Sequence, residues 1–189
     1  MTRRLTHEDA HGAAHMVDVS AKEVSARTAT ASGVVRVPPH VVALLRGDGV
    51  PKGDALAVAR VAGIQAAKRT PDLVPLCHPV AVHGVRLDLD VQDDGVRIAA
   101  TVRTADRTGV EMEALTCVVA AALTLVDMVK GVDRDAEITD VRVDGKSGGR
   151  SGTWSRADDS TDGPGTSEGS GGPHGSAQPT GTGVAGPSA

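Results

Sequence analysis

The sequence contains no phenylalanine and no tyrosine, and Trp154 is its only tryptophan. Hydrophobic residues still make up 40% of the chain, so a folded core has to be built from Val, Leu, Ile, Ala and Met. The missing rings also argue against an RNA-binding module, because such domains stack bases on exposed aromatic side chains. We therefore expect a tightly packed aliphatic core and no nucleic-acid partner.

Cysteine and positive charge are scarce as well. Cys77 and Cys117 provide neither a disulfide framework nor the CxxC spacing of a zinc site. The net charge of −4 lacks the basic excess of a nucleic-acid binder. The chain opens without a signal-peptide pattern and has no apolar run of about 18 residues that would indicate a membrane span. We expect a cytoplasmic protein with no metal site and no membrane contact.

The composition changes sharply near Ser151. Residues 153–189 are mostly Gly, Ser, Thr, Pro and Asp, and such a segment buries too little apolar surface to offset its chain entropy. The preceding part is long enough for one domain with its own core. We predict one folded domain over residues 1–152 and a disordered tail over 153–189.

Hydrophobic periodicity predicts an α+β fold. The expected elements are strands at 27–37, 85–91, 96–102 and 137–144, with helices after Pro38-Pro39, from Asp54 to about Arg69, and from Val110 to Lys130. Asp94-Gly95 indicates a hairpin, and a phase slip between Ile138 and Val141 indicates a bulge. This order is the β-α-β-β-α-β pattern of a ferredoxin-like sandwich, with the helices on one face of an antiparallel sheet.

Three short segments place charged or polar groups beside Gly or Pro. Lys52 precedes a helix N-terminus, which favours anions, although good capping alone also explains it. The loop Pro75-Leu76-Cys77-His78-Pro79 holds a histidine able to bind phosphate or transfer protons, or simply to lie on the surface. The stretch from Lys146 to Gly152 has two cations and three glycines, which suits either phosphate contact or the start of the tail.

The long predicted helix carries acids at both ends. Glu111 and Glu113 suit its first turn, while Asp127 and Lys130 are i, i+3 neighbours that form either an ion pair or an acid/base pair. Glu113 and Asp127 share a face but lie about 21 Å apart along a helix. They serve either two ends of a large substrate or one site completed by two subunits, and we favour the second interpretation.

Together these segments resemble one family. The strings KGDALAVARVAGIQAAKRTPDLVPLCHP, TGVEMEALT, DMVK and VRVDGKSGGRSG, with LTHED and HMVDVSAK before them, resemble the cyclic pyranopterin monophosphate synthases of molybdenum cofactor biosynthesis. The resemblance covers about Leu5 to Gly152. It implies a ferredoxin-like lyase that converts 3′,8-cyclo-7,8-dihydroguanosine 5′-triphosphate to cyclic pyranopterin monophosphate and diphosphate. It also implies a homohexamer, a trimer of dimers, with active sites at subunit interfaces.

The same resemblance implies roles for individual residues. Asp127 and Lys130 match the catalytic acid/base pair. The expected substrate-binding residues are Leu76, Cys77, His78, Glu111, Met112, Glu113, Lys52, Lys68 and Lys146, with the three lysines around the triphosphate. No cofactor is expected to be required, and magnesium is an option beside the phosphates.

The chain departs from the family pattern beside Asp127. Val126 and Val129 stand where the family pattern leads us to expect Tyr and Cys, which alters the local hydrogen bonding without removing a proposed catalytic group. The alternative from another class is a non-catalytic nucleotide-binding protein with the same fold. The retained Asp127, Lys130, His78 and Glu113 favour the enzyme.

Overall fold

The computed structural model describes residues 13–47 and 50–157. In chain order the elements are β1 (Ser25–Arg36), α1 (Pro39–Arg46), α2 (Ala55–Ala67), α3 (Thr70–Leu73), β2 (Val82–Gln92), β3 (Gly95–Asp106), α4 (Glu111–Val129), β4 (Glu137–Ser147) and β5 (Trp154–Ser155). The strands form one antiparallel sheet in the order β2-β3-β1-β4-β5. The predicted ferredoxin-like arrangement is confirmed.

The helices lie where the sequence predicted them, because their caps are local. The Asp54 carboxylate accepts a hydrogen bond from the Ala57 amide at 2.9 Å and begins α2. Gly47 follows the last residue of α1. The short helix α3 is an addition, because the sequence predicts a helix from Asp54 to about Arg69 and none directly after it. Pro71 instead lies in the first turn of α3, where its missing N–H is tolerated.

The β2–β3 hairpin turns one residue earlier than predicted. Gln92 pairs with Gly95, so Asp93 and Asp94 form the loop and Gly95 begins β3. A Cβ on Gly95 would lie 2.1 Å from the Val35 carbonyl oxygen. Glycine is therefore required by the close approach of β1 as well as by the turn. The predicted bulge in β4 is confirmed, since the register with β1 shifts between Ser32 and Val34.

The core is aliphatic, as the composition predicted. Its largest fully buried side chains include Ile98, Leu125, Val35 and Val118, while Trp154 is 43% exposed on β5. Helix α4 is long and apolar enough to cross a membrane by length and composition, but 56% of that stretch is buried inside the fold. The core helix of a folded domain passes the same test, so the packing of α4 inside the fold explains its apolar composition.

Strand β5 extends the ordered chain beyond Gly152, where the domain was predicted to end. Lys146 pairs with Trp154, and the Arg156 amide donates to the Asp144 carbonyl oxygen at 2.8 Å. The rest of the predicted tail, from residue 158, lies outside the described residues and stays a prediction. So does the contribution of residues 1–12 to the predicted domain.

Helices α2 and α4 pack against each other at Gly63. A Cβ there would lie 2.5 Å from a Leu87 methyl group and 2.7 Å from the Cys117 carbonyl oxygen. Lys52, which precedes α2, contacts Asp127 near the end of α4. The two helices therefore run antiparallel, with the N-terminus of α2 beside the C-terminus of α4.

We expect Gly63→Ala to lower the free energy of unfolding by about 1–3 kcal/mol, because the added methyl group overpacks this contact. Denaturant titration measures the change. Gly131→Ala is the matched control, since a Cβ at Gly131 has open space around it. Equal stability of the two variants would contradict the close contact at Gly63.

Candidate active site

A cavity of about 310 Å³ opens at the N-terminal end of α4. Six of the predicted substrate-binding residues line it: Leu76, Cys77, His78, Glu111, Met112 and Glu113. They come from two distant segments, the proline-bounded loop before β2 and the first turn of α4. The structure thus brings together two segments that lie more than 30 residues apart in the sequence.

The histidine of this loop is hydrogen-bonded to the segment that precedes β1. His78 Nε2 lies 2.7 Å from the Val17 carbonyl oxygen. Since a carbonyl oxygen can only accept, Nε2 carries the proton in this contact, which leaves Nδ1 of the neutral ring as an acceptor. Val17 also lines the cavity, so the contact orients the ring within the cavity wall.

Glu113 is the most buried acid of the cavity, with 3% of its surface exposed. Burial raises the pKa of its carboxyl group, and the nearby Glu111 raises it further. The pKa of the Cys77 thiol is also raised, first by burial and then by the charge of Glu113. Cys77 therefore remains a neutral thiol near pH 7 and suits packing or weak hydrogen bonding rather than nucleophilic attack.

We expect Glu113→Gln to stabilise the fold at neutral and alkaline pH. A carboxyl group whose pKa is raised by folding binds its proton more tightly in the native state, so native stability falls as pH rises through that window. The stability of the glutamine variant does not fall in this pH window, because glutamine does not titrate. Thermal unfolding should show the variant above the parent at pH 8 and level with it below the ordinary carboxyl range. A constant difference at every pH would contradict the buried carboxyl group.

A second, smaller cavity adjoins the first and adds cations. Arg27, Lys146 and Gly148 line it together with Glu111. Lys146 Nζ lies 3.1 Å from Glu111 Oε1, and about a third of each side chain is exposed. The glycine-rich stretch predicted as phosphate-binding thus lies beside the acidic end of α4. An anionic substrate group can reach Lys146 and Arg27 from the cavity containing His78.

Another cluster lies at the C-terminal end of α4. Lys130 Nζ lies 2.5 Å from Asp127 Oδ1, and Lys52 Nζ lies 3.1 Å from Asp127 Oδ2. Lys52 also donates to the Asp127 main-chain oxygen at 2.6 Å. The hydrogen bond from Lys130 and then that from Lys52 lower the pKa of Asp127. Asp127 is therefore a carboxylate at neutral pH, with two ammonium groups beside it.

The two clusters lie at opposite ends of one unbroken helix. Glu113 and Asp127 are separated by 14 residues of α4, or about 21 Å at 1.5 Å per residue. A single chain therefore does not place Asp127 against the cavity. Lys52 lies with Asp127 rather than with Lys146, and Lys68 is an exposed residue at the end of α2 outside the linings of both cavities.

Sequence reasoning missed two cations of the cavity region. Lys22 lines the larger cavity and Arg27 lines the smaller one. Arg107 Nε donates to the Lys22 main-chain oxygen at 2.9 Å, and Arg27 Nε donates to that of Asp106 at 2.8 Å. In the sequence, Lys22 and Arg27 are basic residues on either side of the start of β1. Basic residues in such places are common on protein surfaces, so they gave no specific signal.

Within residues 13–47 and 50–157, no group of three or more His, Cys, Asp or Glu side chains is placed to hold a metal ion. Cys77 and His78 therefore have no third ligand among these residues. The cavities instead combine neutral, acidic and basic groups around an opening large enough for part of a nucleotide. This mixture suits recognition of a polar heterocycle with an attached phosphate chain.

Comparisons with known proteins place the chain in one family. A model of the MoaC family matches residues 16–149. Proteins named cyclic pyranopterin monophosphate synthase are similar to the chain: 71% identical over 154 residues in Streptomyces coelicolor (82% of this chain and 91% of that protein) and 68% over 157 residues in Nocardioides sp. (82% and 96%). A Mycobacterium tuberculosis protein named cyclic pyranopterin monophosphate synthase 2 is 60% identical over 152 residues (80% and 91%). This chain belongs to the MoaC family.

Proposed function

We propose that this protein is a lyase of molybdenum cofactor biosynthesis that converts (8S)-3′,8-cyclo-7,8-dihydroguanosine 5′-triphosphate to cyclic pyranopterin monophosphate and diphosphate. The observation that carries the proposal is the pairing, on α4, of a cavity large enough for part of a nucleotide at one end with an ionised Asp127 at the other. Relatives 60–71% identical over most of this chain are named for the same reaction.

The two ends of α4 supply different parts of the chemistry. Opening and reclosing the purine-derived rings requires protons to leave and arrive at nitrogen and oxygen. Asp127 accepts a proton as a carboxylate, and Lys130, 2.5 Å from it, donates one. The short contact keeps the pair together, so that a proton removed at one substrate atom can be returned at another.

Formation of the cyclic phosphate is a displacement at the α-phosphorus. A substrate hydroxyl oxygen forms the new P–O bond and loses its proton to a base, while the bond to the bridging oxygen breaks and diphosphate leaves. Negative charge develops on the departing oxygen, and cations stabilise it. Lys146, Arg27 and Lys22 line the two adjoining cavities and are placed to receive the phosphates.

The cavity containing His78 and Glu113 is the recognition side of the proposed site. A buried carboxyl group with a raised pKa pairs with the donor groups of a guanine-derived ring, and the oriented His78 adds an acceptor at Nδ1. Leu76 and Met112 provide apolar contact for the ring face. Asp127 of the same chain lies about 21 Å from Glu113 along α4. The proposed catalytic carboxylate must therefore come from another subunit.

We therefore include self-association in the proposal, as a homohexamer built as a trimer of dimers in which sites form between subunits. The small-molecule substrate requires no further macromolecular partner. No cofactor is required, magnesium is an option beside the triphosphate, and the reaction takes place in the cytoplasm. The support for shared sites is the separation of the two clusters in one chain.

The test is to incubate the purified full chain with the cyclo-dihydro-GTP precursor and follow diphosphate and cyclic pyranopterin monophosphate by mass spectrometry. We expect both products in equal amounts. Parallel reactions with EDTA and with added magnesium measure the metal requirement. Binding of the precursor by a folded oligomer without turnover would replace the enzyme with a non-catalytic nucleotide-binding protein.

A further inference from the structure

The Glu111 side chain lies at the boundary between the two cavities of the candidate site. It lines both of them, and its Oε1 lies 3.1 Å from Lys146 Nζ. Lys146 is one of the cations that the proposed function assigns to the substrate phosphates. A carboxylate of the chain itself therefore occupies the position beside this ammonium group that a phosphate oxygen would take.

A glycine allows the Glu111 carboxylate to lie in this position. A Cβ on Gly109 would overlap Glu111 Oε2 and would lie 2.7 Å from its Cδ and 2.9 Å from its Oε1. The side chain of Glu111 is thus folded back over the main chain of Gly109, two residues earlier. Gly109 lies outside the left-handed φ range that favours glycine. The space taken by the carboxylate, rather than the backbone conformation, therefore requires a glycine here.

Opposing charges act on the Glu111 carboxylate. Lys146 and the N-terminal end of α4 attract it, because the amides of a first helical turn carry partial positive charge. Glu113 lies close enough for the charge of Glu111 to raise its pKa, so the two carboxylates repel each other when both are ionised. This repulsion offsets part of the attraction to Lys146, so an anion of higher charge can replace the carboxylate.

The cations around Glu111 suit an anion with more charge than one carboxylate. Arg27 lines the smaller cavity together with Lys146, and its Nε and Nη2 donate to the main-chain oxygens of Asp106 and Arg107 at 2.8 and 3.1 Å. These hydrogen bonds hold the guanidinium group in place without neutralising its charge. A diphosphate group has enough charge and enough acceptor oxygens to interact with Arg27 and Lys146 at the same time.

We propose that the Glu111 carboxylate, folded over Gly109, is an exchangeable occupant of the anion site at Lys146 and Arg27, and that it makes this site selective. The phosphate chain of the substrate displaces the carboxylate, which returns to Lys146 when diphosphate leaves. A free diphosphate has to displace it by charge alone, whereas the substrate is also held by its ring in the larger cavity. The inference deepens the proposed function and rests on it for the identity of the substrate.

The exchange gives a physical reason for an acid among phosphate-binding cations. Cations that stabilise a departing diphosphate also bind it after it has left. Because Glu111 competes for Lys146 only when the phosphates are away from it, the carboxylate lowers the affinity for the free product. It leaves the positive charge around the bound phosphate chain in place. The affinity for inorganic diphosphate is therefore the quantity that tests the proposal.

The first test removes the charge of the carboxylate. Isothermal titration of the full chain with inorganic diphosphate, at constant ionic strength, measures this affinity without any turnover. We expect Glu111→Gln to bind diphosphate at least about threefold more tightly than the parent, because the amide does not compete as an anion for Lys146. Glu137→Gln is the matched control, since it makes the same change of charge at the opposite end of β4 from Lys146. Equal affinities of these two variants, or no measurable binding by Glu111→Gln, would overturn the inference.

The second test displaces the carboxylate without removing it. Gly109→Ala places a methyl group where Glu111 Oε2 lies, and the partly exposed side chain of Glu111 has solvent into which it can turn. This variant should also bind diphosphate at least about threefold more tightly than the parent. Gly84→Ala is the matched control, because a Cβ at Gly84 would come no closer than 4.0 Å to its nearest neighbour, Arg103 Cβ.

The two changes should not act independently. In a Glu111→Ala background, Gly109→Ala should alter the affinity for diphosphate by less than about twofold, since no carboxylate remains to be displaced. The same gain from Gly109→Ala in both backgrounds would show that the added methyl group acts by another route and would remove Gly109 from the proposal. No gain from Gly109→Ala in the parent chain would contradict the carboxylate as the occupant of the anion site.

The inference and the proposed function fail in different ways. If the parent chain converts the precursor but Glu111→Gln and Glu137→Gln bind diphosphate equally, the reaction stands and the exchange at Lys146 fails. If the titrations give the expected differences but the parent chain does not convert the precursor, the proposed reaction fails. Glu111 then remains the exchangeable occupant of an anion site that serves a different phosphorylated ligand.

Discussion

Replacing Asp127 with asparagine is expected to lower turnover of the precursor by about 10²–10⁴-fold, the usual contribution of a positioned acid or base. Asn retains the size of the side chain but cannot accept the proton. Asp127 is 56% exposed, and its ion pairs with Lys52 and Lys130 lie at the surface. Such exposed pairs contribute little to stability because water and salt screen them, so the variant should fold and assemble normally.

The measurement is turnover by mass spectrometry together with thermal unfolding and assembly mass. Asp88→Asn is the matched control, because Asp88 also pairs with a basic side chain, Arg86 at 2.8 Å, but lies on the strand β2. Its neighbour Leu87 faces α2 and α4, so Asp88 points to the opposite face of the sheet. Turnover of Asp127→Asn within a few fold of the parent would remove Asp127 from the mechanism.

Mixing two inactive variants is expected to restore activity. Asp127→Asn lacks the acid/base group, and Glu113→Gln lacks the buried carboxyl group of the cavity. If sites form between paired subunits, a mixed pair has one site with both defects and one with neither. Unfolding the variants together and reassembling them at equal amounts should yield about a quarter of the parent activity, because half of the pairs are mixed.

The reverse mixture provides the control. Here a double variant that carries both changes is mixed with the parent chain. In a mixed pair, each shared site then contains one altered residue, so both sites are inactive. Equal mixing should then leave about a quarter of the parent activity, against about half if each chain holds its own site. No recovery from the single variants, combined with half activity in this mixture, would show that Glu113 and Asp127 act within one chain.

Most of the fold was predictable because its signals are local. Alternating residues in β2 and β3, the Asp54 cap and the proline before α1 each act within a few residues. The two differences have separate causes. Pro71 lies in the first turn of α3, where a proline is tolerated. Gly95 begins β3 beside β1, a contact with residues distant in the sequence that its neighbours do not reveal.

The sequence named candidate site residues but could not tell which of them lie together. The sequence placed Lys52 with the phosphate-binding lysines, whereas the structure sets it against Asp127. Lys22 and Arg27 were missed because their contacts, to Arg107 and Asp106, cross about 80 residues of chain. Such contacts depend on how β1 and β3 meet, and periodicity carries no information about them.

By itself the sequence determined the element order, the aliphatic core and the distance between Glu113 and Asp127, because a helix has a fixed rise per residue. Only the tertiary structure decided which groups share a cavity, that Glu113 is buried while Asp127 is ionised between two lysines, and that the intervening face of α4 is left apolar and uncovered. These properties depend on the desolvation and charge that distant segments impose on a side chain, and those arise only when the segments pack together.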